Sequence, residues 1–178
     1  MHSELSLLVS HGVIEETVSR LAAQITADYR GRPLVAIGIL KGAFIFMADL
    51  VRQIGIPLEI DFMAVSSYGS GTESSRCVTM VKEPSSDVRG KDVLVVEDIV
   101  DSGNTVNFVM QHLRARGACS VRLCALADKP SRRETGVAID YLGFTVPDKF
   151  LVGYGLDFDN KYRCLPDIYC MEERGSER

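Results

Sequence analysis

Three carboxylates crowd the end of one apolar run in the stretch VLVVEDIVDSGNT, residues 93–105. Glu97 and Asp98 are adjacent, and Asp101 follows shortly after them. Like charges at this spacing repel each other, so either water solvates them or a cation or a cationic transition state lies between them. The pattern therefore indicates either a solvated strand end or a site that stabilises positive charge.

The residues that follow add an anion site beside these carboxylates. We expect DSGNT to open a helix, with Asp101 or Ser102 as its cap and Gly103 supplying an unusual backbone angle. The free N–H groups of such a first turn suit a single phosphate. The sequence contains neither a GxxxxGK[ST] loop nor a GxGxxG turn, so this is not one of the common nucleoside triphosphate or dinucleotide motifs.

Alternating helices and strands must position this site. Helical spacing predicts helices over residues 12–30, from residue 42 to residue 54 with Phe44, Met47, Val51 and Ile54 on the apolar face, and around 106–113. Apolar and β-prone runs predict strands at 34–40, 58–68, 91–97 and 120–128, with short ones near 137–146 and 150–154. This order is typical of an α/β open sheet with right-handed crossovers. Ligands bind beyond the carboxyl ends of strands in such sheets, so we expect the chemistry just after residues 40, 66, 97 and 127.

Composition describes one globular domain spanning residues 1–178. A net charge of −4 argues against a protein that coats nucleic acid or an anionic membrane. No apolar run is long enough to span a bilayer and no signal peptide is evident. The five cysteines form no CxxC pair and are expected to be reduced thiols. We therefore expect a cytoplasmic protein with no nucleic-acid and no membrane partner.

Two segments are expected to lie outside regular structure. Residues 66–80 are crowded with Ser, Gly and Thr, which predicts a mobile loop over the edge of the sheet. The polar tail MEERGSER, residues 171–178, is expected to fray into solvent.

The acidic stretch resembles the phosphoribosyl-diphosphate (PRPP) signature of type I phosphoribosyltransferases. Four further segments are similar in order and spacing to the hypoxanthine-guanine branch of that family: LKGAFIFMADL (40–50), SSYGSG (66–71), LADKPSRR (126–133) and PDKFLVGYGLDFDNKYRCLP (147–166). The resemblance covers nearly the whole chain after residue 33. It implies a type I phosphoribosyltransferase fold, with a mainly parallel open sheet flanked by helices. A small hood, about residues 130–170, would lie over the carboxyl edge of the strands.

The resemblance implies roles for the residues of the acidic stretch. Glu97 and Asp98 would hold the ribose hydroxyls and help to place Mg²⁺, and Asp101 would be the general acid or base facing the purine N7. The 5′-phosphate would be held by the backbone of residues 101–105 and the Thr105 hydroxyl. The phosphate-binding residues would thus be Ser102, Gly103, Asn104 and Thr105. The family often has Lys where this chain has Asn104, which removes a charge contact but leaves the N–H groups in place.

The same resemblance implies where the other substrate groups bind. The turn at Lys41 and Gly42 would carry a non-proline cis peptide and bind pyrophosphate. Lys129 would donate to the 6-oxo group of the purine, which explains rejection of a 6-amino purine. The remaining contacts would be stacking by Phe150, edge contacts by the backbone of Leu151 and Asp157, a partly water-mediated Mg²⁺ contact by Asp157, and a pyrophosphate contact by Arg163. Ser67 and Tyr68 would open a loop that closes over the reacting centre.

The expected function is therefore purine salvage. PRPP would give its 5-phosphoribosyl group to N9 of hypoxanthine, and of guanine, releasing IMP or GMP and pyrophosphate with Mg²⁺ as cofactor. A xanthine-preferring enzyme stays open, because Lys129 would serve any 6-oxopurine. A PRPP-motif regulator that binds RNA is disfavoured, because 24 acidic residues outnumber 20 basic ones. Members of this family are typically dimers or tetramers, so we expect a homodimer or a homotetramer.

Overall fold

The computed structural model describes residues 4–68 and 77–172 of the chain. Three helices and nine strands occur within these ranges. The helices are α1 (His11–Asp28), α2 (Phe44–Gln53) and α3 (Asn104–Ala115). The strands are β1 (Glu4–Val9), β2 (Leu34–Leu40), β3 (Leu58–Tyr68), β4 (Cys77–Lys82), β5 (Asp92–Val100), β6 (Ser120–Asp128), β7 (Tyr141–Thr145), β8 (Phe150–Val152) and β9 (Ile168–Glu172).

The larger sheet has six strands in the order β4-β3-β2-β5-β6-β7. All neighbours pair in parallel except β3 and β4, which are antiparallel. Because alternate residues of a strand face opposite sides, Leu94 and Val96 pack on α1 and α2 whereas Val93 and Val95 pack on α3. Because helices cover both faces of the sheet, β2 and β5 are apolar at successive positions and do not alternate between polar and apolar residues. The predicted α/β open sheet is confirmed.

The apolar face of α2 differs from the predicted one at its start. Phe44 is 43% exposed, whereas Phe46, Met47 and Leu50 are buried. Helical spacing was compatible with either set, and the helix is rotated so that Phe46 rather than Phe44 enters the core.

The predicted loop over residues 66–80 is wrong in its boundaries. Ser66–Tyr68 complete β3, and β4 begins at Cys77 and pairs with it, with Ser67 opposite Val78. Residues 69–76 lie outside the described residues. The β-branched residues of CVTMVK favour a strand, but the polar run before them concealed that signal.

A second, three-stranded sheet has the order β1-β9-β8. This sheet is called the hood below; it takes β8 and part of β9 from the predicted range 130–170, whereas β1 lies outside that range. The sheet joins segments near both ends of the chain, since Leu5 of β1 lies opposite Met171 of β9. The tail was therefore predicted wrongly at its start: Met171 and Glu172 belong to β9, which is paired on both sides, and Met171 is only 9% exposed. Residues 173–178 lie outside the described residues.

Two further expectations concern the whole chain. No helix within residues 4–68 or 77–172 is long and apolar enough to cross a membrane. The thiols of Cys119, Cys124, Cys164 and Cys170 are free, as expected.

Candidate active site

The turn after β2 meets the end of β5 and the loop after β8 at one point. The peptide bond between Leu40 and Lys41 is cis, as the resemblance implies. Gly42 packs against the Asp98 side chain, and a β-carbon on Gly155 would overlap the Gly42 carbonyl oxygen. Because neither glycine leaves room for a side chain, the turn after β2 lies directly against the Asp98 side chain and against the backbone of the loop after β8.

The acidic pair lies inside a strand rather than after it. β5 runs to Val100, beyond the predicted end at residue 97. Glu97 is only 8% exposed, and its Oε2 has no hydrogen-bond partner among the described residues. Burial, with a smaller effect of the Asp98 charge, raises the pKa of Glu97 well above its usual range. The buried, unpartnered oxygen is free to accept a hydrogen bond from a ligand hydroxyl or a water.

Asp98 has a perturbed carboxyl as well. Burial raises its pKa to about 6, and the nearby Asp157 charge adds to the increase. The Ile99 N–H, which donates to Asp98 Oδ1 at 2.8 Å, and the Arg163 charge act in the opposite direction. A carboxyl with this pKa changes charge close to neutral pH. A metal ion or a ligand hydroxyl then competes with a proton for the Asp98 oxygens.

The loop that follows β5 exposes backbone N–H groups. Gly103 is the N-cap of α3 and adopts a φ of 87°, which few residues other than glycine tolerate. Gly103 rather than Asp101 or Ser102 occupies the N-cap position, so the predicted position of the cap is wrong. Ser102 Oγ makes only a long contact, 3.4 Å, with the N–H of Asn104. The first turn, including Asn104 and Thr105, keeps the N–H groups that the phosphate prediction requires.

Asp101 is paired with an arginine to which sequence reasoning assigned no role. Its side chain is 46% exposed, and its Oδ1 lies 3.2 Å from Arg132 Nε. Within the described structure that oxygen accepts no hydrogen bond, so the contact is an ion pair by distance alone. Arg132 Nη1 also lies 3.5 Å from Asp148 Oδ1. Both residues stood inside the segments that carried the resemblance, and the short basic run Arg132–Arg133 was the available signal.

A cavity of about 650 Å³ opens between the carboxyl edge of the large sheet and the hood. Its walls include the predicted site residues Asp98, Asp101, Lys129, Phe150, Leu151 and Asp157, together with Arg132, Asp148 and Lys149. Lys129 is 7% exposed, and its Nζ donates to the Lys149 carbonyl at 2.6 Å. Phe150 is 51% exposed and meets the ring of Phe158 edge-on, with centroids 5.4 Å apart. The cavity thus offers a buried cationic donor and a free aromatic face, the elements of a base-binding site.

The loop after β8 holds Arg163 firmly. Its Nη2 lies 2.6 Å from Asp157 Oδ1, and its Nη1 donates to the Gly155 carbonyl at 2.5 Å. The other oxygen of Asp157 accepts from the Asn160 N–H at 2.8 Å. Lys41 is exposed and its Nζ lies 3.4 Å from Asn160 Oδ1. Two cations therefore flank the Gly42–Asp98 contact, as an anionic leaving group would require.

The carboxylates do not form a metal centre on their own. Residues 4–68 and 77–172 contain no group of three or more His, Cys, Asp or Glu side chains able to hold a metal ion. Of the predicted ligands, Asp98 and Asp157 are close enough for one charge to affect the other, and Glu97 Oε2 is unpartnered. Oxygen donors of this kind suit Mg²⁺, which commonly takes one or two protein carboxylates and completes its shell with substrate oxygens and water. The donor set fits a Mg²⁺ ion that arrives with its substrate.

Ser67 and Tyr68 end β3 opposite Val78 and Cys77. This places their backbone at the same carboxyl edge as the other strand ends. The segment that would close over the site follows them and lies outside the described residues.

Comparison with known proteins gives one family. The model of the phosphoribosyl transferase domain matches residues 6–159. The chain is 46% identical over 170 residues to a hypoxanthine phosphoribosyltransferase of Salmonella typhimurium, covering 94% of this chain and 96% of that protein. It is 46% identical over 167 residues to the hypoxanthine-guanine phosphoribosyltransferase of Bacillus subtilis, covering 94% and 93%. A crystal structure of a hypoxanthine phosphoribosyltransferase from Staphylococcus aureus superposes with a TM-score of 0.90 at 43% identity, covering 94% of this chain and 91% of that one.

These similarities extend over the large sheet, the loop that follows β5 and the cavity. A match of this length and identity leaves no large part of the fold unaccounted for. The chain therefore belongs to the phosphoribosyltransferase family, with the type I fold, in the branch of the hypoxanthine-guanine phosphoribosyltransferases.

Proposed function

We propose that this protein transfers the 5-phosphoribosyl group of PRPP to N9 of hypoxanthine, and of guanine, giving IMP or GMP and pyrophosphate in purine salvage. One observation carries the proposal: the cavity that contains Lys129 and Phe150 opens onto the same sheet edge as Asp98 and Asp101. The phosphate loop begins at Asp101, so base, ribose and phosphate sites are contiguous.

The reaction develops positive charge on the ribose, because the bond to pyrophosphate breaks well before the bond to the base is complete. Carboxylates that face the sugar stabilise such a transition state more than the ground state. Glu97 and Asp98 have this role in the proposal, and the unpartnered Glu97 Oε2 suits a ribose hydroxyl. Because burial holds both side chains in place, little reorganisation is needed as the charge develops.

Asp101 is the proposed general acid or base at the purine N7. It lies on the wall of the cavity, within reach of a base that stacks on Phe150. Arg132 lies 3.2 Å from this carboxylate and forms an ion pair with it. The proton of N7 then moves to or from this carboxylate as the new bond at N9 forms.

Base selection is assigned to Lys129. Its ammonium donates to the Lys149 carbonyl, and a 6-oxo group offers a second acceptor. A 6-amino group would place a donor against a donor and leave both unsatisfied, so adenine is rejected. The backbone of Leu151 and Asp157 would contact the other edges of the base.

Pyrophosphate is proposed to bind at the Lys41–Gly42 turn and Arg163. When bound there, Mg²⁺ would neutralise charge on pyrophosphate as it leaves, with Glu97, Asp98 and Asp157 as its direct or water-mediated protein contacts. Ser67 and Tyr68 would lie at the start of a segment that closes over the reacting centre and excludes water, which would otherwise hydrolyse PRPP.

We also propose that the enzyme is a cytoplasmic homodimer or homotetramer. The free thiols agree with a reducing compartment. Large apolar side chains exposed on three strands, Leu7, Ile60 and Val81, agree with association of subunits. Size-exclusion chromatography with light scattering measures the number of subunits.

The direct test is steady-state kinetics with hypoxanthine, guanine and xanthine, with and without Mg²⁺. We expect nucleotide formation with hypoxanthine and guanine, weaker formation with xanthine, and loss of activity when Mg²⁺ is chelated. Equal or higher kcat/KM with xanthine would overturn the proposed base preference. Salt-sensitive binding to RNA without any pyrophosphate release would overturn the enzyme proposal itself.

A further inference from the structure

The phosphate loop, residues 101–105, is held by a segment that the proposed function leaves without a role. This segment, Arg133–Thr135, is here called the brace, and it follows the short 3₁₀ turn Pro130–Arg132. The N–H groups of Glu134 and Thr135 both donate to the carbonyl of Ser102, at 2.9 and 3.0 Å. Two donors on one carbonyl fix the orientation of the Ser102 peptide within the loop.

Asn104 adds two side-chain hydrogen bonds to the same segment. Its Nδ2 donates to Glu134 Oε2 at 2.8 Å, and its Oδ1 accepts from the Thr135 hydroxyl. The amide thus has its donor and its acceptor directed at the brace. A lysine at this position could not accept from Thr135, because an ammonium group is only a donor.

Gly103 packs closely on the brace as well. A β-carbon at this position would lie 2.6 Å from the Thr135 carbonyl oxygen and 3.2 Å from Arg133 Nη1. The Arg133 guanidinium is in turn paired with Asp128 at the end of β6, where the two side chains are 18% and 14% exposed. Asp128 directly precedes Lys129, so the brace connects the phosphate loop to the strand that carries the base-selecting lysine.

We propose that Asn104, through Thr135, is a positioning residue for the substrate 5′-phosphate: it directs the N–H groups of the phosphate loop and does not itself contact the phosphate. This inference rests on the proposed function. According to it, the affinity for a phosphate monoester depends on the contact between Asn104 and Thr135, two residues that are far apart in sequence. Pyrophosphate binds on the other side of the site, at Lys41–Gly42 and Arg163, and is independent of the brace.

The test uses isothermal titration calorimetry of the full-length protein with Mg²⁺ present. The ligands are IMP and ribose 5-phosphate, which carry the phosphate monoester, and inorganic pyrophosphate, which does not. The variants are Asn104→Ala, Thr135→Val, the double variant, and Thr135→Ser, which restores the hydroxyl. Asn107→Ala is the matched control, because Asn107 lies on the same helix but its side chain bonds only Gln111 among the described residues, at 3.2 Å.

We expect Asn104→Ala and Thr135→Val each to raise the Kd of both phosphate monoesters about five- to tenfold, the effect of one or two lost hydrogen bonds. The Kd of the double variant should exceed the Kd of either single variant by no more than about twofold, because the two residues act as one pair. Thr135→Ser and Asn107→Ala should bind like the unaltered protein, and the Kd of pyrophosphate should stay within about twofold throughout.

Unchanged affinity for IMP in Asn104→Ala, or additive effects in the double variant, would overturn the inference. So would an equal loss of pyrophosphate affinity, since that would indicate general damage to the site. If Asn104→Ala fails to fold, Thr135→Val compared with Thr135→Ser decides the question alone. If the unaltered protein binds ribose 5-phosphate but not IMP, the proposed function is contradicted, and the effect of the brace is still measured with ribose 5-phosphate. If the unaltered protein binds neither ligand, both the proposed function and the inference are contradicted.

Discussion

The side chain of Asp98 lies directly against the α-carbon of Gly42: a β-carbon at position 42 would come within 2.5 Å of Asp98 Cγ. The Lys41–Gly42 turn and strand β5 are therefore in contact through a residue that must be glycine. Position 42 is thus sensitive to substitution for a reason separate from its backbone angle.

Gly42→Ala should lower kcat/KM for PRPP on the order of a hundredfold, because the added methyl group displaces either the turn or the Asp98 carboxylate. Initial rates with PRPP as the varied substrate measure this. Gly12→Ala is the matched control, since a β-carbon at Gly12 meets nothing within 4 Å. Comparable losses in the two variants would contradict the steric explanation.

Asp98→Asn should raise the stability of the free protein at pH 7.5, and much less at pH 4.5. Burial raises the folded-state pKa of Asp98 to about 6, above that of the unfolded chain. Between about pH 4 and pH 6 the folded state therefore binds more protons, and stability falls as the pH rises through this window, by up to about 3 kcal/mol.

Urea unfolding at the two pH values measures the difference. The Asn variant lacks the ionisation, so its advantage should grow from about pH 4 and be complete above the folded-state pKa. An equal gain at both pH values would mean that ionisation of Asp98 is not the cause. Burial also raises the pKa of Glu97. This lowers stability with rising pH in the unaltered protein and in the Asn variant alike.

Asp101→Asn should lower kcat by about 10²- to 10⁴-fold, because it removes the proton acceptor while leaving a side chain of the same shape. Affinity for IMP should change by only a few-fold. Asp148→Asn removes the other carboxylate near Arg132 and should cost less than about tenfold. A near-normal kcat for Asp101→Asn would refute its assigned role.

Lys129→Ala should reduce the ratio of kcat/KM for hypoxanthine to that for adenine by about tenfold or more, because the donor that favours a 6-oxo group is lost. Rates with both bases, measured side by side, give the ratio. Lys91→Ala serves as the control, since Lys91 pairs with Glu59 at 2.5 Å at the amino end of the strands. Unchanged rejection of adenine would count against the Lys129 contact.

Local sequence was sufficient for the elements that carry strong periodicity. The strand predicted at residues 34–40 has its observed bounds, and the helix predicted at residues 12–30 agrees with α1 within two residues at each end. The order of these elements also predicted the sheet edge at which Lys41, Asp98, Asp101 and Lys129 come together. Apolar spacing and chain order suffice here, because parallel strands place all their carboxyl ends on one side.

Contacts between segments distant in sequence were beyond local reasoning. The pairing of β1 with β9 joins residues 5 and 171, and neither strand has a pattern that names its partner. The brace and the ion pair between Arg132 and Asp101 likewise connect the loop after β5 and the start of α3 to residues 132–135. That region has no helix or strand periodicity in its sequence. Sequence similarity marked that loop as part of the site without giving its contacts.

By itself, the sequence determined that this protein has an α/β sheet, with three carboxylates and a glycine-containing turn into a helix at its carboxyl edge. Only the tertiary structure decided that Glu97 is buried with an unpartnered oxygen, that Asp98 touches Gly42, and that Asn104 faces Thr135. The reason is physical: the type of a residue and its spacing decide which chemistry it can do, whereas burial and neighbouring charges set its ionisation. Those neighbours come from strands and loops that meet only when the chain has folded.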